Sequence, residues 1–126
     1  MKQILAIIRP RKIRETKEAL VKAGFSAFTG TKVLGRGRGN VDFRVLHAAE
    51  IGTEEAIARL GDGPLLISKR LMNIVVPDDK AGTLIQTIVD INKTGTAGDG
   101  KIFVLPVHET IRIRTGERDT NALQEQ

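Results

Sequence analysis

The chain has 126 residues, of which 40% are hydrophobic and 28% are charged, as in a soluble globular domain with one modest core. It contains no cysteine, which excludes disulfides and thiolate metal sites and fits a reducing, cytoplasmic setting. The net charge of +5 indicates an anionic partner, and an aromatic content of only 3% favours small anions over nucleic acid. We expect neither a membrane span nor a signal peptide, since no apolar run is long enough for the former and the N-terminus lacks the pattern of the latter.

The first part of the chain predicts a strand, a helix and a second strand. The isoleucine-rich stretch Gln3–Ile8 is typical of a buried strand. Pro10 ends it and suits the first turn of a helix over Arg11–Ala23. Gly24 fits the position just after that helix, and Phe25–Leu34 then predicts the second strand.

A long segment without clear periodicity follows, from Arg36 to about Lys69. Within it, Val41–Leu46 suggests extended structure, and Thr53–Gly61 has the start and stop signals of two helical turns. A connection of this length is uncommon inside a small domain and is usually functional. We therefore expect a loop that becomes ordered when it binds a partner.

The second part of the chain repeats the pattern. Leu71–Val76 predicts a third strand, and a helix begins at Pro77 and ends before Gly95. Ile102–Val107 predicts a fourth strand. Ile111–Arg114 alternates apolar and charged residues, which favours a fifth, edge strand.

This order of elements, β-α-β, long loop, β-α-β, predicts an α+β fold. With right-handed crossovers it becomes a ferredoxin-like βαββαβ sandwich, in which two helices cover one face of an antiparallel sheet. We expect a single domain over residues 1–116 and a flexible tail over residues 117–126. The other face of the sheet is too apolar to stay in water, so we expect the chain to self-associate.

The most informative motif is the glycine turn, residues 94–100, with the lysine that follows it. Gly95, Gly98 and Gly100 allow a tight backbone with accessible N–H groups, and Lys101 adds an ammonium, a combination typical of a phosphate site. The pattern also matches the start of a P-loop. However, Ile102 replaces the Ser or Thr that would bind Mg²⁺, and a strand follows instead of a helix, so the turn is not a kinase or ATPase loop.

Two further cations follow the fourth strand. On the predicted edge strand, Arg112 and Arg114 would project from the same face. Guanidinium groups suit phosphate oxygens, so these arginines and Lys101 predict a triphosphate clamp. The alternative is that the arginines are solvated edge charges that discourage aggregation. The histidines and carboxylates show no metal-ligand spacing, so we predict no metal site.

These motifs resemble those of the PII signal-transduction proteins over nearly the whole chain, apart from the loop and tail. The runs Thr94–Val104 and Ile111–Glu117 are similar to the C-terminal half of that family, Met1–Pro10 to its start and Val75–Asp79 to its middle. The resemblance implies a trimer of ferredoxin-like subunits with ATP or ADP in the clefts between them and Mg²⁺ accompanying ATP. It also implies that 2-oxoglutarate is sensed and that the loop grips a target protein.

The resemblance also assigns residues to these ligands. Those implied to hold the nucleotide through its phosphates are Gly35, Gly37, Arg38, Gly98, Asp99, Gly100, Lys101, Arg112 and Arg114. Those implied to surround the adenosine are Ile7, Thr29 and Val75. Those implied to bind 2-oxoglutarate are Gly37, Gly39 and Lys69.

The chain departs from the family pattern at two of its positions. Asn73 stands where the family commonly has a glutamate, and Gly39 stands where it has the glutamine that binds Mg²⁺ and 2-oxoglutarate. The loop is also longer than usual. These features resemble the nitrogen-fixation subgroup, specifically the long-loop second subunit of a pair that inhibits nitrogenase. A mixed oligomer with a sister subunit is therefore an alternative to a homotrimer.

Two classes of function remain open. The first is a non-catalytic sensor that reads nucleotide and 2-oxoglutarate and controls nitrogenase through its loop, or instead controls an ammonium transporter or glutamine synthetase. The second is an enzyme, such as a slow ATPase, that uses the same clamp. The sequence shows no pairing of a nucleophile with a base, which favours the sensor.

Overall fold

The computed structural model describes residues 1–37 and 66–123. Arg38, Gly39 and the elements predicted at Val41–Leu46 and Thr53–Gly61 lie outside the described residues. The described helices and strands, in chain order, are β1 (Lys2–Ile8), α1 (Ile13–Lys22), β2 (Thr29–Gly35), β3 (Ile67–Val76), α2 (Asp78–Asn92) and β4 (Lys101–Pro106). They confirm the predicted α+β fold.

The four strands form one antiparallel sheet in the order β2-β3-β1-β4. The first strand is central, since Ile7 lies opposite Leu71 of β3 on one side and opposite Lys101 of β4 on the other. This arrangement is consistent with the predicted ferredoxin-like sandwich. It also places the end of β1 directly beside the start of β4, where the glycine turn joins the sheet.

The core lies between the sheet and the two helices. Alternate residues of β1 and β3 point towards the helices because successive strand residues face opposite sides of a sheet. The largest side chains buried there, each no more than 1% exposed, are Ile4, Ile8, Leu20, Met72, Ile74, Leu84 and Ile88. None of the described helices combines the length and apolar character needed to cross a membrane.

One buried polar contact joins the two helices. Asn92, at the end of α2, donates from Nδ2 to the Thr16 hydroxyl of α1 at 3.1 Å and to the Ile88 carbonyl at 2.9 Å. The Thr16 hydroxyl in turn donates to the Lys12 carbonyl at 2.7 Å. Because buried polar groups lose stability when they lose their partners, this contact favours one alignment of α1 against α2.

Within residues 1–37 and 66–123, the opposite face of the sheet has no helix over it. Cross-strand partners share a face, so Leu5 and Phe103 lie together here, and Ile7, Val75 and Leu105 belong to the same face. Phe103 and Leu105 are 46% and 38% exposed, and the other three are partly exposed. An apolar, uncovered face is present in the single chain, as the sequence predicts.

Two strand boundaries differ from those predicted. The third strand begins at Ile67 rather than at Leu71, so Lys69 lies within the sheet and not in the loop before it. The second begins at Thr29 rather than at Phe25. The Phe25 N–H donates to the Leu20 carbonyl at 2.8 Å, and its ring packs against the core, so this part of the chain closes the end of α1.

The prediction of a fifth strand is wrong. Ile111 forms a single isolated bridge with Arg118, and residues 113–115 form a turn. The Ile113 side chain is 99% exposed, so the alternation of apolar and charged residues does not correspond to a buried and an exposed face. Arg112 and Arg114 therefore do not share the face of a strand.

Candidate functional site

Asp99 holds the glycine turn in shape. Its Oδ2 accepts hydrogen bonds from the N–H groups of Thr94 at 2.8 Å and Gly95 at 2.9 Å, and its Oδ1 accepts one from the Thr94 hydroxyl. These bonds use donors from the first half of the turn only. The N–H groups of Gly98 and Gly100, in the second half, take no part in this network.

Arg9 ties the turn to the end of β1. Its Nη1 lies 2.7 Å from Asp99 Oδ1, and its Nη2 donates to the Ala97 carbonyl at 3.1 Å and to the Thr96 hydroxyl at 3.3 Å. Arg9 is a residue of the candidate site that the sequence motifs did not indicate. The available signal was its place directly after a strand that pairs with the strand following the turn.

These contacts affect the protonation of Asp99. Hydrogen bonds from Thr94 and then Arg9 hold the pKa of the Asp99 carboxyl well below its usual range. A depressed pKa in the folded state stabilises the fold at pH values above the ordinary carboxyl pKa of about 4, and this contribution is lost as the pH falls further. The turn is therefore held by a carboxylate throughout the neutral range. Its assignment to the nucleotide stays a prediction, since the carboxylate already binds donors of its own chain.

Two positions of the turn favour glycine, for different reasons. Gly100 has a φ of +118°, and a Cβ there would lie 2.0 Å from the Ile7 carbonyl oxygen, so only glycine fits. Gly98 has a φ of +96°, a conformation that favours glycine, and a Cβ there would lie 3.2 Å from Nη2 of the Arg9 side chain. The turn thus lies directly against the end of β1.

Lys69 links β3 to the same turn. Its Nζ donates to the Gly98 carbonyl at 2.9 Å. Burial, followed by the neighbouring positive charge of Arg9, lowers the pKa of Lys69. Lys101, at the start of β4, lies opposite Ile7, so it belongs to the sheet face opposite the described helices, and its side chain is exposed. We call Arg9, Lys69 and Lys101, together with the turn, the cationic corner.

The two arginines expected beside the glycine turn lie at the other end of the sheet. Lys101 pairs with Ile7, whereas the Thr110 hydroxyl contacts the Met1 sulfur at 3.4 Å. Met1 and Ile7 are six positions apart along extended chain, a distance of about 20 Å at ~3.3 Å per residue. A single chain therefore does not bring Arg112 to the cationic corner.

The residues assigned to the adenosine lie on the face that the helices leave free. Ile7 is at the cationic corner, while Thr29 pairs with Asn73 and Val75 pairs with Gln3. Four residues along β3 separate Val75 from the partner of Ile7, or about 13 Å. Gly35 ends β2, and Gly37 is the last described residue before the segment that joins β2 to β3.

With this geometry described, the chain can be compared with known proteins. Residues 1–117 match the family described as Nitrogen regulatory protein P-II. The chain belongs to this family. The match includes the glycine turn, Lys101 and the C-terminal arginines, and it confirms the family resemblance seen in the sequence.

Several relatives within the P-II family cover almost the whole chain. A Methanobacterium ivanovii protein named nitrogen fixation nifHD region GlnB-like protein 2 is 43% identical, over 98% of this chain and 99% of its own. A protein of the same name from Methanococcus maripaludis is 41% identical, over 98% and 100%. The Escherichia coli K12 protein named nitrogen regulatory protein P-II 1 is 40% identical, also over 98% and 100%. Two of these three names carry the nitrogen-fixation label expected for the subgroup.

The close approach of Gly100 to β1 generates a prediction. Gly100→Ala should destabilise the protein by more than about 1 kcal/mol, because alanine must adopt a positive φ and its Cβ collides with a backbone carbonyl. Gly82→Ala is the matched control, since nothing lies within 4 Å of the added Cβ in α2. That change should stabilise by roughly 0.4–1 kcal/mol. Urea unfolding at equal protein concentrations measures both, and equal stability of the two variants would contradict the described turn.

Proposed function

We propose that this P-II family member is a sensor that binds ATP or ADP at the cationic corner. The observation that carries the proposal is the meeting of the glycine turn, Lys69 and Lys101 at one end of the sheet face that lies opposite the described helices. Backbone N–H groups and ammonium groups in this arrangement bind phosphate oxygens. Ile7 on the same face offers an apolar surface to the base.

The electrostatics of the corner support an anionic ligand. Lys69 and Arg9 are close enough for each positive charge to disfavour the other, and Asp99 only partly offsets them. An anion placed beside Lys69 would raise its lowered pKa and so would be stabilised by the same interaction. The charge left uncompensated in the free chain therefore favours phosphate or carboxylate binding.

Completion of the site requires more than one chain. Arg112 does not reach the cationic corner of its own chain, so a clamp that contains both parts would be shared between copies. The uncovered face, with Phe103 and Leu105 exposed, provides an apolar surface through which copies can associate. We propose a trimer, with a mixed oligomer containing a sister P-II subunit as the alternative.

We also propose that 2-oxoglutarate binds near Lys69 when MgATP is present. A dicarboxylate needs fixed positive charge, which Lys69 supplies from β3 and the metal supplies from the nucleotide. Mg²⁺ would be held largely by the phosphates of ATP, as is usual for this ion. Gly37 and Gly39 complete the proposed 2-oxoglutarate site, and Gly39 lies outside the described residues.

The proposed target is nitrogenase, contacted through the segment between β2 and β3. The support comes from relatives named for the nitrogen-fixation region, together with the length of this segment, residues 36–66. An ammonium transporter or glutamine synthetase is the alternative target. A slow ATPase on the same site is the alternative function, and steady-state phosphate release well above roughly one turnover per minute would favour it.

Lys101→Ala tests nucleotide binding. Loss of this ammonium should weaken ATP binding by about 1.5–3 kcal/mol, the range for hydrogen bonds to charged groups. Lys93→Ala, a lysine just before the turn, is the control and should leave the affinity unchanged. Calorimetry gives both values, and sedimentation at three chain masses shows that assembly is intact. Unchanged ATP affinity in Lys101→Ala would reject the site.

Titration of 2-oxoglutarate tests effector binding. Protein saturated with MgATP should release heat on binding 2-oxoglutarate, and protein saturated with ADP should not, because ADP lacks the γ-phosphate that helps to hold the metal. Lys69→Met should abolish the first signal even when the ATP concentration is raised until the variant is saturated, a condition needed because Lys69 also belongs to the cationic corner. Equal heats with the two nucleotides, or none with MgATP, would contradict the proposal.

Deletion of Gly52–Gly61 tests the output segment. The shortened protein should bind ATP with normal affinity and lose its effect on nitrogenase activity, because the removed residues belong to the segment proposed to contact the target. Acetylene reduction by purified nitrogenase measures that effect. Full inhibition by the shortened protein would show that the contact surface lies elsewhere.

A further inference from the structure

The guanidinium of Arg112 is already bound within its own chain. Its Nη1 lies 2.8 Å from Glu117 Oε1, and its Nη2 donates to the backbone carbonyl of Asn121 at 2.9 Å. The Arg112 side chain is only 14% exposed. An anion that binds this arginine must therefore displace contacts that the free chain already makes.

The backbone holds Glu117 opposite Arg112. The Arg112 N–H donates to the Glu117 carbonyl at 2.8 Å, and the Gly116 N–H donates back to the Arg112 carbonyl at 2.7 Å. Gly116 makes the intervening turn with a φ of +75°. A second bond, from the Asp119 N–H to the Thr110 carbonyl at 2.7 Å, closes the same hairpin. Because these bonds are independent of the ion pair, the backbone of Glu117 stays opposite Arg112, which keeps the Glu117 carboxylate within reach of the guanidinium.

The pairing leaves one donor of Arg112 without a partner. Within residues 1–37 and 66–123, the Nε of Arg112 is buried and has no hydrogen-bond acceptor. Buried donors are normally paired, and an unpaired one disfavours the arrangement that buries it. If Glu117 served only to position Arg112 rigidly, this donor would be expected to have a partner. A ligand with more oxygen atoms than the Glu117 carboxylate could replace it and also bind the unpaired Nε.

We propose that Glu117 is an internal competitor for the phosphate that binds Arg112. Its carboxylate occupies, in the free chain, guanidinium donors that a nucleoside di- or triphosphate takes in the complex. Carboxylate and phosphate oxygens engage a guanidinium with the same paired geometry, so one can replace the other. The proposal rests on the function proposed above. Its consequence is that the nucleotide binds less tightly than the isolated cations would allow.

Glu117→Gln tests the competition. The amide keeps the size of the side chain but removes the charge that holds Arg112, so ATP affinity measured by calorimetry should rise, by about two- to fivefold for a pair of this exposure. Glu109→Gln is the matched control. Glu109 pairs with Arg118 in the same hairpin and does not bind Arg112, so its replacement should leave the affinity unchanged.

A double-mutant cycle locates the effect. In an Arg112→Gln background, Glu117→Gln should no longer change ATP affinity, because the group for which carboxylate and phosphate compete is absent. Weaker or unchanged binding in the single Glu117→Gln variant overturns the proposal, since a positioning or structural role would give those results. A Glu117→Gln variant that no longer folds, judged by circular dichroism, also overturns it, because a competing contact is dispensable.

The same measurements separate the two proposals. If the unaltered protein binds ATP and Lys101→Ala weakens that binding, the proposed function holds. In that case, if Glu117→Gln does not increase the ATP affinity, the proposed competition is rejected and the proposed function is not. If the unaltered protein does not bind ATP, both proposals fall.

Discussion

The ion pair between Arg9 and Asp99 joins two parts of the chain that are 90 residues apart. The position of the glycine turn against the end of β1 depends on this contact. Asp99 accepts hydrogen bonds from the N–H groups at the start of the glycine turn. Arg9 binds the folded turn and so holds it against the end of β1. Gly100 can then lie against the Ile7 carbonyl, and Lys101 enters the sheet in register with Ile7. Removal of either charge would change the shape of the turn directly, and its effect on a ligand would follow from that change.

The cations proposed to bind phosphate lie at two ends of the sheet. The cationic corner occupies one end, and Arg112 lies in a separate hairpin at the other. Neither part surrounds a triphosphate by itself. If the two parts meet between subunits, as proposed above, ligand binding depends on how the subunits are placed, and a small movement between them would change the affinity without any change inside a subunit. This suits a protein whose proposed work is to report the concentrations of metabolites.

Most of the fold could be predicted from the sequence because its signals are local. Pro10, Gly24 and Pro77 mark the ends of elements, and the strands between them are rich in β-branched residues. The predicted fifth strand failed because alternation was the only evidence for it. Ile113, which should have been buried, is almost fully exposed in a turn. Alternation alone does not separate a strand from a short hairpin.

The candidate site was only partly predictable. The glycine turn and Lys101 were apparent because glycine spacing is a local signal. The contacts of Arg9 with Asp99 and of Lys69 with Gly98 were not, because they join residues far apart in sequence. The family resemblance supplied Lys69 as a ligand residue, but its bond to the turn required the described register. The pairing of Arg112 with Glu117 likewise depends on a hairpin that was first interpreted as a strand.

The buried contact between Thr16 and Asn92 has a further consequence for the turn. Asn92 ends α2, two residues before Thr94, and α1 begins soon after Arg9. The chain from Arg9 to Thr16 and the chain from Asn92 to Asp99 are therefore closed into a ring by one buried hydrogen bond and one ion pair. Closed rings have fewer internal motions than open segments of equal length. The helices thus form a rigid frame that limits the positions available to the turn. A substitution at Thr16, deep in the core, would therefore change the position of the turn and with it the affinity of the proposed ligand site.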